Sequence, residues 1–214
     1  MNWFDRIALL ATGLTAVYLI WRFYGRYQLK KGLYDIYYMM GFAVLFVSGV
    51  LLIFGGWGLL ASPYVLTVAT LIPLGIALGL MNQFMPKYKK IYSWFALIGL
   101  LAIAVTSIGD MPAKSIAVPL FHGVSGLIIF LLPLYLCYKK QVPKGFGMVG
   151  VGGLLIGIGG MALAFYKADK PLFGIFTGEF ILMILAPLLL LMTLAYAWGF
   201  VKEIKYGDDY PEAE

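Results

Sequence analysis

Apolar residues run through this chain in long blocks, and polar residues gather in the short gaps between them. The blocks fall roughly at 4–24, 33–54, 61–84, 91–109, 114–137, 145–166 and 172–200. Each approaches the ~20 residues a helix needs to cross the bilayer core. Barrel strands would instead alternate over about 10 residues. The pattern predicts an all-α, polytopic membrane bundle of seven transmembrane helices spanning 1–206. A short acidic cytoplasmic tail, 207–214, follows it.

Composition supports that class. Hydrophobic residues make up 62% of the chain, charged residues 12%, and mean hydropathy is +0.91. A soluble surface needs far more charge. The net charge of +6 does not imply nucleic acid, because the basic residues cluster at helix ends, where headgroups and topology explain them. The gaps after the first, third and fifth blocks hold Arg22, Arg26, Lys30 and Lys31, then Lys87, Lys89 and Lys90, then Lys139, Lys140 and Lys144. With Lys202 and Lys205, one side carries twelve basic residues, against four on the other: Arg6, Lys114, Lys167 and Lys170. The positive-inside rule puts the N-terminus outside and the C-terminus inside. The expected location is the plasma membrane of a prokaryote. The start, MNWFDR, is charge-balanced, and its block ends in WRFYGRYQLKK without a small-residue cleavage site, so the first helix is expected to be retained.

Glycines add an architectural signal. Gly150, Gly153, Gly157 and Gly160, extended by Ala164, share one face of a helix. In lipid such a face lets a neighbouring backbone approach closely. Residues 41–56, GFAVLFVSGVLLIFGG, also align without gaps on 145–160, GFGMVGVGGLLIGIGG, with seven identities. Both segments would run from inside to outside. That arrangement implies a parallel 3+1+3 repeat, in which the fourth helix joins two three-helix units. Ser62-Pro63 and Lys170-Pro171 open the following helices alike. Pro73, Pro119, Pro133 and Pro187 fall inside spans, where proline kinks or breaks a helix.

Few residues can carry chemistry. His122 and Glu179 are expected at similar depth in the outer half of the membrane, and every intramembrane ionisable group is a site hypothesis. Either the two meet and bind a ligand, or each is satisfied separately by backbone or hydroxyl groups. Asp35 is expected at the interface, paired with Lys30 or Lys31, and Asp110 in a turn beside Pro112. One histidine and one cysteine, Cys137, provide no cluster at metal-ligand spacing and no bis-histidine haem. The glycine row lacks the strand and Lys-Ser/Thr of a phosphate loop. No metal or cofactor is expected, and no catalytic residue is assigned. Retinal is disfavoured, because the last span has no mid-membrane lysine.

The basic turn WRFYGRYQLKKG and the closing GEFILMILAPLLLL resemble uncharacterised seven-helix proteins of bacteria and archaea. The plan is also similar to the seven-helix membrane region of some sensor histidine kinases. The resemblance covers most of the chain, rests on hydropathy and loop charge, and transfers no functional residue. Three functions are expected, in order. The first is a non-enzymatic, helix-packing subunit of a larger assembly with other membrane subunits or copies of itself. The second is a receptor-like bundle binding a small or lipophilic ligand near His122 and Glu179. The third is a proton- or ion-linked transporter using Glu179.

Overall fold

In the computed structural model the backbone is described for residues 1–167 and 177–209, and side chains for 1–160 and 177–205. The helices are α1 (Trp3–Lys30), α2 (Leu33–Gly55), α3 (Pro63–Ala69), α4 (Leu71–Phe84), α5 (Lys89–Ile108), α6 (Lys114–Tyr138), α7 (Gly147–Lys167) and α8 (Gly178–Asp209). Short 3-10 turns, Trp57–Ala61 and Lys144–Phe146, precede α3 and α7. No strand occurs among the described residues. Among the described residues six helices are long and apolar enough to cross a membrane, with Pro63–Phe84 counted as one, which makes this a helical bundle of membrane-protein character. The chain's start is well terminated. Asn2 accepts from the Asp5 amide at 2.8 Å while the Asp5 carboxylate accepts from the Asn2 amide, so two end donors are satisfied together.

The helix ends depart from the sequence pattern in three places. α1 continues to Lys30, beyond the 4–24 block, so Arg26 and Lys30 are helical rather than loop residues. The third block divides at Thr70 into α3 and α4. Pro73 explains the break, because it has no N–H to give the Ala69 carbonyl four residues back. Pro119, Pro133 and Pro187, in contrast, lie within unbroken helices. α8 begins at Gly178, not 172, and reaches Asp209, inside the segment assigned to the tail. Residues 172–176, Lys170-Pro171 and the tail's end lie outside the described residues.

The helices close into a ring. α1 packs on α2, α2 on α4, α4 on α6, α6 on α7, α7 on α8, and α8 returns to α1. α5 packs against α3, α4 and α6 instead. Glycines set the closest crossings. A methyl built on Gly75 of α4 would lie 2.9 Å from the Tyr37 carbonyl oxygen and 3.2 Å from Gly41 Cα of α2. One on Gly150 would meet the Phe130 carbonyl oxygen of α6 at 2.6 Å, and one on Gly153 the Phe130 amide at 3.0 Å. Gly152, on the other side of α7, faces the Met192 carbonyl of α8.

The five-residue glycine face therefore divides. Gly150 and Gly153 are held against α6, whereas no described atom lies within 4 Å of a methyl built on Gly157 or Gly160. The Ala164 side chain lies outside the described residues. The ring is filled by aromatic residues at the end where α1 and α8 finish. Phe23, Tyr38, Phe42, Phe146, Tyr196 and Phe200 are all fully buried, and their rings meet one another.

Candidate functional site

Helical periodicity carries three charged residues onto the buried stripes of their helices. In α1 the buried positions run Ala16, Leu19, Phe23, Arg26. In α2 they run Asp35, Tyr38, Phe42, Leu45, and in α8 Met192, Tyr196, Phe200, Glu203. Each charge extends an apolar stripe by one turn, so the three converge beneath the aromatic cluster at the lysine-rich end.

Arg26 is the hub. Its Nε and Nη2 both donate to Asp35 Oδ1, at 2.8 and 2.7 Å, and Nη1 donates to Glu203 Oε2 at 2.5 Å. Gln83, at the end of α4, donates from Nε2 to Glu203 Oε1 at 2.7 Å and accepts from the Tyr38 hydroxyl at 3.0 Å. The network ties together α1, α2, α4 and α8. Its charged side chains are largely buried, with 3% of Arg26, none of Asp35 and 10% of Glu203 exposed, and Gln83 is partly buried. The guanidinium also lies over the rings of Phe23 and Tyr34, 5.5 and 5.0 Å from their centroids. Arginine suits such a position, since its planar group stacks on rings while its edge hydrogen-bonds carboxylates.

The network is complete on one side only. Two carboxylates share one guanidinium, and Asp35 Oδ2 is buried without a hydrogen-bond partner. Lys30, at the end of α1, adds positive potential at Asp35. Chemically, the cluster can lock four helix ends while Arg26 keeps its charge, and Asp35 Oδ2 is the position at which a proton could be held. Breaking such an ensemble leaves an uncompensated buried charge, which is far more costly than never having built it.

The residues singled out by the sequence lie elsewhere. His122 is partly buried in α6, and its Nδ1 is buried without a hydrogen bond of ordinary geometry; the Val118 carbonyl, one turn back, is the acceptor at hand. Glu179 is exposed in the first turn of α8, not two turns into the span, because that helix starts later than the pattern implied. No ion pair joins the two among the described residues, and α7 packs against both their helices. Asp35 pairs with Arg26 as well as lying near Lys30, a correction to the interfacial assignment. Asp110 does lie in a turn, where it forms an ion pair with Lys114. Cys137 is partly buried, with Sγ 3.5 Å from the Pro143 carbonyl oxygen. Among the described residues no group of three or more metal-ligating side chains forms. Compared with protein-family models, curated proteins and solved structures, the chain matches none.

Proposed function

We propose that this chain is a seven-span protein of a prokaryotic plasma membrane, with its N-terminus outside, that serves as a non-enzymatic packing subunit of a larger membrane assembly. The seventh span is α7, 21 residues long and apolar. The observation that carries the reading is the placement of α5. Among the described residues its main contacts are with α3, α4 and α6, outside a ring whose six members already partner one another. Its free face bears Ile91, Trp94, Ile98, Leu101, Val105 and Ile108 at alternating three- and four-residue spacing. That is the seam through which a helix packs along another helix. The occupant is a membrane helix of a neighbouring subunit.

The internal repeat belongs to the same proposal. The sets α1–α2–α4 and α6–α7–α8 have equivalent neighbours under a two-fold exchange, with α5 as the joining helix. The aligned glycines also have equivalent surroundings. Gly49 approaches Leu9 of α1 and its counterpart Gly153 approaches α6, while Gly41 meets α4 and its counterpart Gly145 meets α8. α2 begins eight residues before the aligned segment, whereas a 3-10 turn opens the second copy, so the copies differ at the lysine-rich end.

Isolation from its own membranes in two mild detergents tests the assembly reading. A constant stoichiometry with another membrane polypeptide, and cross-links from residue 98 or 101 to that polypeptide, are expected. A monomer in both detergents overturns the reading, and a pure homo-oligomer replaces the neighbour with a second copy. A second reading, proton-linked transport, draws support from the unpartnered Asp35 Oδ2. It requires that Asp35→Asn abolish proton movement into liposomes containing the pure protein.

A further inference from the structure

A groove of about 450 Å3 runs between α4 and α6 at the lysine-rich end. Its volume falls within the ~300–1,000 Å3 of small-molecule pockets. Met81 and Met85 form one wall, and Leu127, Leu131 and Tyr135 the other. The second wall is about half exposed, so the groove opens sideways, toward what the membrane reading makes the lipid. Its lining is almost wholly apolar, so an acyl chain fits without leaving a polar group unsatisfied.

The mouth has the opposite character. Lys139 follows Tyr135 by one helical turn and stands over its ring, 5.8 Å from the centroid. Lys87 follows Met85 by two residues in an exposed turn, and Lys89 and Lys90 open α5 directly after it. Lys140 and Lys144 lie just beyond Lys139. None of these six lysines makes an ion pair with a described residue. The sequence offers them no local relief, since residues 36–109 and 111–167 contain no Asp or Glu. Asp35 and Glu203, the buried carboxylates at this end, are committed to Arg26.

We infer that the α4–α6 groove is a binding site for an anionic phospholipid, with an acyl chain between Met81 and Leu131 and the phosphate held by Lys139 and Lys87. Basic pockets between membrane helices recognise anionic headgroups in this way. The site rests on the membrane reading but not on the assembly reading, because a monomer would bind the lipid equally well.

Native mass spectrometry of the detergent-solubilised protein tests it, with dioleoyl phosphatidylglycerol and dioleoyl phosphatidylcholine as probes of equal acyl composition. Several-fold more bound phosphatidylglycerol than phosphatidylcholine is expected. The double variant Lys87→Gln, Lys139→Gln should bring that ratio near one, whereas Lys114→Gln, at the opposite end, should leave it unchanged. Leu131→Trp, which fills the groove from an exposed position, should lower retention of both lipids. A melting curve confirms that each variant is folded. Equal retention of the two lipids by the native protein overturns the inference, as does a preference that survives the double variant. Glycerol phosphate competing as well as the whole lipid would assign the lysines to a soluble anion and overturn the groove. A preference that appears only after residues 207–214 are removed would show that the acidic tail occupies the site instead.

Discussion

At the scale of single residues, burial decides which charges matter. Arg26→Met should lower stability by about 3–5 kcal/mol, because Asp35 and Glu203 would stay buried without their cation. Thermal melting in detergent checks this, and Glu203→Gln, which keeps the hydrogen-bonding shape, should cost clearly less. The pair Asp110–Lys114 marks the opposite extreme. The Lys114 ammonium holds the Asp110 carboxyl below the usual carboxylate range. A depressed acid contributes above its unfolded pKa and loses that contribution as pH falls through the folded value. The group is fully exposed, so Asp110→Asn should leave the melting temperature unchanged at neutral pH. His122→Ala and Glu179→Gln should be additive to within roughly 0.3–0.5 kcal/mol in a double-mutant cycle. The sequence did contain the buried cluster, as the steps 16-19-23-26, 35-38-42-45 and 192-196-200-203. It was obscured because a basic residue near a span's end also satisfies the positive-inside rule, and charge alone does not separate the two roles. Glu203 is masked differently, because its neighbours Lys202 and Lys205 make the segment read as an ordinary charged span end.

At the scale of helices, hydropathy located the elements well and their contacts less well. Apolar length marks where a helix crosses, but the partner of each face depends on which helices neighbour it. Gly150, Gly152 and Gly153 show this, since α7 is gripped by α6 on one side and α8 on the other. A single glycine row could not reveal two contact faces. Gly153→Leu should destabilise by about 1–3 kcal/mol, because its side chain would enter the space of Ile129 and Phe130. Gly157→Leu should be tolerated, with open space among the described residues around its methyl position. Equal melting temperatures for the two variants would refute this division of the row. The α2–α4 crossing has no local signature in the sequence, because Gly41 and Gly75 lie on different helices and their meeting is a tertiary fact.

At the scale of the whole molecule, orientation rests on charge asymmetry, and the network changes that count slightly. Arg26 is committed to Asp35 and Glu203, so it no longer faces headgroups. Eleven basic residues still remain at its end against four at the other, which keeps the expected direction. Both chain-end helices enter this argument. α1 finishes and α8 finishes at the same lysine-rich end, joined there by the Arg26–Glu203 pair, so their orientations are tied together. A reversed protein would expose that end, with all its lysines, to the outside. Cysteines introduced one at a time at Tyr88 and Met111 test the choice, both positions being exposed in turns or at helix starts. They need a Cys137→Ala background, because Cys137 is only partly buried and lies at the same end as Tyr88. An impermeant thiol reagent added to intact cells should label position 111 and spare position 88, with 88 labelled only after the membrane is opened. Labelling of 88 from outside would invert the molecule, and would move the lysine-lined groove to the outer leaflet with it.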